Sequence, residues 1–196
     1  MSEFSYDKRT ALIVIDVQND FADPKGSRYV PGGEEVVPVL NAEIELALAA
    51  GARIIYSRDW HPPTKPRLHK QSTNRPAHWG PDNWGSLLHP SLRVEGPVIS
   101  KGDAGEEGYS AFCARDPRSG VIRPSDLGGL LAGDGISQLV VGGLSTEHCV
   151  RATVLDALNR HYPVRVLRAA VRALDQQPGD GVRALEEMAQ AGAVLV

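Results

Sequence analysis

Short apolar segments alternate with helical patterns along this chain, and this alternation constrains its fold more than any other feature. Six runs rich in valine and isoleucine, with polar or glycine-rich flanks, predict buried strands. They span residues 11–17, 52–57, 98–100, 138–141, 164–167 and 193–196. Helical patterns fall between them at residues 34–50, 125–131, 146–160 and 179–191. This order favours an α/β fold of three layers (α/β/α), in which helices cover both faces of a central, mostly parallel sheet.

The size and charge of the chain argue against several classes of protein. Its 196 residues suit one core, so we predict a single domain over residues 1–196. The formal charge of −3 favours neither nucleic acid nor an anionic membrane as a partner. No apolar run approaches the roughly 20 residues of a membrane-spanning helix. The polar N-terminus lacks a signal-peptide core, so we expect a cytoplasmic location.

Three residues with complementary chemistry follow three of the predicted strands. Asp16 ends the first, Lys101 follows the third, and Cys149 follows the fourth, near the start of a predicted helix. Sites in parallel sheets form at the carboxyl ends of strands, so these side chains can converge. A helix N-terminus and an ammonium both lower a thiol pKa. A carboxylate can accept the thiol proton and later deliver it to a leaving amine, so the set predicts a cysteine nucleophile.

Each of these residues also has an ordinary structural explanation. A cysteine at a helix start is often a packed small side chain, an aspartate after a strand often caps a turn, and a lysine is usually solvated. Their joint placement favours the functional interpretation. We interpret the other cysteine, Cys113, as structural, because its neighbours Ala111 and Phe112 suggest a packed position. Two thiols in such a chain do not indicate a disulfide framework.

A second group of polar residues follows the second predicted strand. Asp59 and His61 lie two residues apart, so in extended chain their side chains point the same way. His69 and His78 follow within residues 61–97, a proline-rich stretch with neither helical nor strand periodicity. One carboxylate with two or three imidazoles suits zinc, iron or manganese. A hydrogen-bonded loop with surface histidines is the alternative explanation.

The motifs around the first group carry a family resemblance. They are Ile-Asp-Val-Gln-Asn-Asp-Phe at residues 15–21, Lys-Gly at 101–102 and Gly-Leu-Ser-Thr-Glu-His-Cys-Val at 143–150. In this order they resemble the nicotinamidase (pyrazinamidase) and isochorismatase-like cysteine hydrolase family. The resemblance implies the isochorismatase-like hydrolase fold and covers most of the chain.

The same resemblance assigns roles to individual residues. It implies that Asp16, Lys101 and Cys149 form the catalytic trio. It also implies a cis peptide bond at Leu144–Ser145, which would direct the backbone amides of Ser145 and Cys149 toward a developing oxyanion. These two amides are the predicted oxyanion hole.

The resemblance also sharpens the metal prediction. Asp59, His61 and His78 match the Asp-x-His and Pro-x-His positions of nicotinamidases, and His69 is our fourth candidate ligand. We therefore predict a metal-site insertion at about residues 59–97 and one divalent ion, with zinc as the first choice and iron or manganese as the alternatives. In nicotinamidases this ion holds the pyridine ring nitrogen of the substrate, directly or through water. Isochorismatases lack this set of ligands.

Two aromatic residues match the pocket walls of nicotinamidases. Phe21 and Tyr109 occupy positions that flank the substrate ring, with ordinary core packing as the alternative. The sequence departs from the family pattern Trp-Pro-x-His-Cys, because Arg75 stands where tryptophan is usual and Trp79 where cysteine is usual. These differences bear on the substrate more than on the chemistry.

These features together predict an enzyme that hydrolyses nicotinamide to nicotinate and ammonia through a cysteine thioester, with assistance from the metal. The alternatives are a related hydrolase of another small amide or lactam, an isochorismatase-type hydrolase of a vinyl ether, and a non-catalytic ligand-binding protein on the same fold. The cysteine and the metal set argue against the second, and the intact trio against the third. Family members are often dimers or larger, so the resemblance implies a homo-oligomer.

Overall fold

The strands lie largely where the sequence predicts them. The computed structural model of the chain describes residues 5–60, 83–102, 108–116 and 118–196. Its strands are β1 (Thr10–Ile15), β2 (Arg53–Asp59), β3 (Val98–Lys101), β4 (Cys113–Arg115), β5 (Ile122–Pro124), β6 (Gln138–Leu144), β7 (Val164–Arg172) and β8 (Val194–Leu195). Six of them form one parallel sheet in the order β3-β2-β1-β6-β7-β8, and β4 and β5 form a separate antiparallel pair.

Helices connect the strands of the main sheet. They are α1 (Asn19–Ala22), α2 (Val36–Ala49), α3 (Leu127–Gly133), α4 (Arg151–Asn159) and α5 (Asp180–Gln190). Gly33–Glu35 and Trp84–Ser86 are single 3₁₀ turns, and Thr146–Val150 is a π-helical turn that leads into α4. Within the described ranges, no helix is long and apolar enough to cross a bilayer.

Helices on both faces of the sheet explain why β1 is buried along its whole length. Its residues alternate between two apolar clusters, because successive side chains of a strand point to opposite faces. Leu12 and Val14 pack in the cluster that contains α2, whereas Ile13 and Ile15 pack in the cluster that contains α3, α4 and α5. The predicted three-layer α/β/α fold is confirmed.

The differences from the predicted elements are local. β6 and β7 extend beyond the predicted segments, to Leu144 and Arg172. The β4–β5 pair is not predicted, because its strands have three residues each and are mostly exposed, so they show no apolar pattern. The helix predicted at 146–160 is a π-helical turn followed by α4.

The sheet order reverses between β1 and β6, which is where open α/β sheets place their sites. Gly143 allows these two strands to approach closely at that point. Its φ is +127°, and a Cβ there would lie 2.1 Å from the carbonyl oxygen of Ile15. Only glycine fits this position without a shift of backbone. The close approach brings the end of β1 beside the turn that follows β6.

Candidate active site

The ammonium of Lys101 is the centre of a buried cluster at the carboxyl ends of the strands. Its Nζ lies 2.5 Å from Asp16 Oδ2 and donates to Cys149 Sγ at 3.2 Å. Two more oxygens contact it, Asp59 Oδ1 at 3.3 Å and the carbonyl oxygen of Tyr109 at 3.1 Å. The structure thus brings the three predicted catalytic side chains together, and all three are buried.

Asp16 is held by its backbone and by both carboxylate oxygens. It follows β1 with a φ of +48°, a left-handed conformation that is uncommon outside glycine. Its N–H donates to the Ser57 carbonyl at 3.2 Å. The Ser57 hydroxyl donates to Oδ1 at 2.6 Å, and Lys101 occupies Oδ2. The carboxylate therefore has one orientation, with Oδ2 toward the lysine.

The turn after β6 carries the thiol. The peptide bond between Leu144 and Ser145 is cis, as the family resemblance implies. The Ser145 carbonyl accepts the N–H groups of His148 and Val150, both at 3.2 Å, and so closes the π-helical turn. Irregular turns of this kind are frequent at functional sites. The turn places Cys149 beneath the surface, with 6% of the residue exposed.

Burial and charge act in opposite directions on the two charged members of the trio. Burial raises the pKa of the Asp16 carboxyl, although the Lys101 ammonium lowers it. Burial by itself would lower the pKa of Lys101, but the carboxylates of Asp16 and Asp59 raise it well above its usual value. Lys101 therefore stays charged, and Asp16 is a stronger proton acceptor than an exposed aspartate.

The prediction of a lowered thiol pKa is wrong. Burial raises the pKa of Cys149 well above its usual value; the Lys101 ammonium opposes this rise and the Asp16 carboxylate adds to it. The ammonium does not offset the lost hydration of a buried thiolate. The resting group is therefore a thiol, and the cluster needs a base to activate it.

The predicted pocket walls lie at different distances from the trio. Tyr109 is beside it, because its carbonyl accepts from Lys101, and its ring lies 5.1 Å from the His148 ring, centroid to centroid. His148 Nδ1 is in turn 3.0 Å from the Ser145 hydroxyl. Phe21 is half-buried and packs against the apolar cluster of α2. The substrate contacts of Phe21 and Tyr109 stay predictions.

Of the predicted metal ligands, Asp59 is the one that the structure describes. It ends β2, its side chain is 12% exposed, and its carboxylate pairs with Lys101. His61, His69 and His78 lie outside the described residues, as do Arg75 and Trp79. Elsewhere in the described chain, no three His, Cys, Asp or Glu side chains gather in a way that could hold a metal ion. A buried carboxylate at a strand end fits zinc chemistry, and the metal set stays a prediction.

Ser57 orients the carboxylate of Asp16 and is not among the site residues predicted from the sequence. A polar residue within the apolar run 54–57 of β2 is its only sequence signal. The other thiol, Cys113, donates to Asp156 Oδ2 at 3.3 Å, and neither cysteine is in a disulfide.

Replacement of Ser57 by alanine is expected to weaken both the site and the fold. A hydrogen bond to a charged group contributes about 1.5–3 kcal/mol to stability, so we expect a loss of that size in the free energy of unfolding. We also expect kcat/KM to fall about tenfold, which is about 1.4 kcal/mol of transition-state alignment. Chemical denaturation and steady-state kinetics measure the two effects.

Ser125→Ala is the matched control for this variant. The Ser125 hydroxyl donates over the same 2.6 Å, but to the carbonyl of Ala111 instead of a catalytic carboxylate. We expect this control to lose stability and to keep its kcat/KM. Equal kinetic losses in both variants would contradict the orienting role of Ser57.

Among known families, one match spans nearly the whole chain. The Isochorismatase domain family model matches residues 10–196. This range includes every strand and helix of the structure and all three members of the trio.

Three similar proteins are a nicotinamidase, a pyrazinamidase and a protein whose structure holds nicotinate. The chain is 34% identical to the nicotinamidase of Escherichia coli (strain K12), over 94% of this chain and 93% of that protein. The structure of pyrazinamidase from Pyrococcus horikoshii in complex with zinc is 35% identical, with a TM-score of 0.81 over 96% of this chain and 98% of that one. The structure of PnC1 from L. infantum in complex with nicotinate is 28% identical, with a TM-score of 0.82 over 98% and 95%.

Proposed function

Because the chain belongs to the isochorismatase family, whose model matches residues 10–196, we propose that it hydrolyses nicotinamide to nicotinate and ammonia through a thioester on Cys149. One observation carries this proposal. The Lys101 ammonium lies 2.5 Å from the Asp16 carboxylate and 3.2 Å from the Cys149 sulfur, inside a buried cluster. Such an arrangement suits acyl transfer, which needs a nucleophile beside a base, and here the cation can stabilise the thiolate that forms.

The similar proteins support the choice of substrate. One is a nicotinamidase from Escherichia coli, and another holds nicotinate in its structure. A flat ring needs an apolar wall, and Tyr109 offers an exposed ring beside the trio. Nicotinamide is therefore the substrate that we assign first, ahead of other small amides.

Asp16 activates the nucleophile in the proposed reaction. The carboxylate and the Cys149 thiol both contact the Lys101 ammonium, and the raised pKa of Asp16 favours proton acceptance. As the proton moves to Asp16, the Lys101 ammonium stabilises the thiolate that forms. Throughout this step the Lys101 ammonium therefore faces a single negative charge, first on Asp16 and then on the Cys149 sulfur.

The thiolate then attacks the amide carbon. A bond forms between Cys149 Sγ and that carbon, and the carbonyl oxygen becomes negatively charged. We assign the backbone amides of Ser145 and Cys149 as its hydrogen-bond donors. Removal of one such donor costs about 3 kcal/mol of transition-state stabilisation in other hydrolases.

Collapse of this intermediate breaks the carbon–nitrogen bond. Asp16 returns the proton to the departing nitrogen, so ammonia leaves as a neutral molecule. Water then attacks the thioester and loses a proton to Asp16. The acid is released, and the Cys149 sulfur regains a proton from Asp16, so the enzyme returns to its resting state.

Asp59, His61, His69 and His78 are the residues that would hold a metal ion, with zinc as our first choice. The zinc in the structure of the Pyrococcus horikoshii pyrazinamidase supports a divalent metal here. When bound, such an ion supplies a Lewis acid that can orient the ring nitrogen of the substrate. Asp59 lies 3.3 Å from Lys101, which places this candidate ligand beside the trio.

Three other expectations from the sequence stay predictions. They are the single domain over residues 1–196, the cytoplasmic location and the homo-oligomer. The last can be measured by light scattering of the purified protein.

Release of ammonia from nicotinamide tests the proposed function. We expect the zinc-loaded protein to release ammonia and nicotinate in equal amounts. Treatment with a chelator followed by desalting is expected to lower the rate at least tenfold, and added zinc should restore it. Coupled spectrophotometry for ammonia and chromatography for nicotinate give the two yields.

The controls separate the chemistry from the substrate. Benzamide has the same shape as nicotinamide without the ring nitrogen, so we expect much slower turnover of benzamide. Full activity after chelation would contradict the metal assignment but not the cysteine chemistry. Absence of nicotinamide turnover in reduced, zinc-loaded protein that hydrolyses another amide would contradict the substrate assignment and leave the cysteine chemistry in place.

A further inference from the structure

The side chain of Gln18 makes three buried hydrogen bonds that the proposed reaction does not use. Its Nε2 donates to the carbonyl oxygens of Asp59 and Ser86, both at 2.9 Å. Its Oε1 accepts the N–H of Asp59 at 2.7 Å. Gln18 is 2% exposed and is separated from Asp59 by 41 positions. One side-chain amide therefore binds both backbone groups of one residue.

This pairing replaces strand contacts that β1 cannot make. β1 ends at Ile15, and the chain turns away at Asp16, whose N–H still bonds to Ser57. On its other side, β2 continues to pair with β3 as far as Asp59 and Lys101. Without Gln18, the N–H and C=O of Asp59 that face β1 would be buried and unpaired, which is costly. The glutamine thus acts as one residue of a neighbouring strand.

The position of the Asp59 backbone matters because of what its side chain contacts. The carboxylate pairs with Lys101 Nζ at 3.3 Å, and its side chain is 12% exposed. A shift of this backbone would move the carboxylate relative to the ammonium. The same shift would move the carboxylate relative to any metal ion that Asp59 binds.

We propose that Gln18 is a positioning residue that fixes the Asp59 carboxylate for metal binding. The inference rests on the proposed function, which makes Asp59 a metal ligand. Gln18 touches neither the metal nor the substrate in this role. It acts through the backbone of Asp59, in the way that outer hydrogen-bond partners orient the ligands of many metal sites.

The next residue provides a matched control. Asn19 is equally buried, and its Nδ2 donates to the Trp84 carbonyl at 2.8 Å. Its N–H donates to the Leu87 carbonyl at 2.9 Å. Asn19 therefore joins the same turn to residues 83–88 by two hydrogen bonds, and neither of them involves Asp59. Replacement of Asn19 therefore tests whether general loosening of the turn is enough to weaken metal binding.

Zinc affinity of the full-length apo protein tests the proposal. Competition with a chromophoric chelator gives the dissociation constant for zinc alone, and thermal denaturation gives the stability of each variant. We expect Gln18→Met to bind zinc 10- to 100-fold more weakly, the usual effect of losing an outer partner of a ligand. Asn19→Leu is expected to lose thermal stability while its zinc affinity stays within about threefold of the original protein.

A second variant covers the case in which Gln18→Met does not fold. Gln18→Glu keeps the shape and the acceptor for the Asp59 N–H but places an oxygen against two carbonyls. We expect it to weaken zinc binding as well. Unchanged zinc affinity in a folded Gln18 variant, or equal losses in the Gln18 and Asn19 variants, would overturn the positioning role. If the unsubstituted protein hydrolyses nicotinamide but binds no zinc, both the positioning role of Gln18 and the predicted metal set are overturned. The hydrolase assignment is then unaffected.

Discussion

Replacement of Cys149 by alanine is expected to lower kcat for nicotinamide by about 10⁴-fold or more. Loss of a nucleophile has effects of this size in other hydrolases that form acyl intermediates. Neither Asp16 nor Lys101 can take over covalent attack, because each is already committed to the other in an ion pair. Steady-state kinetics with a sensitive assay for nicotinate measures the residual rate.

The fold should survive this substitution. The side chain is small, and deletion of one sulfur atom leaves a small cavity that costs about 1 kcal/mol. Cys113→Ala is the matched control, since it removes the other thiol, which contacts Asp156 away from the trio. We expect this control to keep its activity. A Cys149→Ala protein with more than about 1% of the original kcat would contradict covalent catalysis by this residue.

Replacement of Lys101 by methionine is expected to cost about 3–5 kcal/mol of unfolding free energy at neutral pH. Methionine keeps the length of the side chain but leaves the buried Asp16 carboxylate without its counter-ion, which is costly in a protein interior. The side chains of Asp16 and Lys101 are 1% and 3% exposed, so solvent does not screen the loss. Urea denaturation of the metal-free protein measures this change, and turnover should also be abolished.

The same variant should show a stronger dependence of stability on pH than the original protein. Burial raises the pKa of Asp16 even with Lys101 present, and removal of the cation raises it further. A group whose pKa is higher in the folded state stabilises the fold below its unfolded pKa and loses that contribution as pH rises. The loss of stability relative to the original protein should therefore be smaller at pH 5 than at pH 8.

An exposed lysine supplies the control for Lys101. Lys8→Met removes the same charge from the surface, where we expect a change within about 0.5 kcal/mol. A Lys101→Met protein as stable as this control at pH 8 would contradict the burial of charge in the cluster. An equal loss of unfolding free energy at pH 5 and pH 8 would contradict the role of Asp16 in the cluster.

The fold and the trio can be predicted from the sequence because both depend on local patterns. The apolar run of β1 is buried over its full length, as its composition predicts. Asp16 and Lys101 lie at strand ends, and the parallel topology makes the ends of different strands meet. The amino-acid sequence alone therefore indicates that these two residues, which are 85 positions apart, can converge.

Other properties of the site depend on tertiary packing and cannot be predicted locally. Burial is the largest influence on the thiol pKa, and depth of burial is not visible in the residues around Cys149. Ser57 and Gln18 act through contacts with residues 41 positions away. A single polar residue in a strand or turn does not reveal such a partner.

Trapping with hydroxylamine tests the proposed thioester most directly. Hydroxylamine attacks a thioester in place of water, so turnover of nicotinamide in its presence should yield the hydroxamate of nicotinate in addition to nicotinate itself. We expect the hydroxamate fraction to rise with hydroxylamine concentration and Cys149→Ala to form neither product. Undiminished nicotinate formation without any hydroxamate, even at high hydroxylamine concentration, would show direct attack by water and contradict the cysteine mechanism.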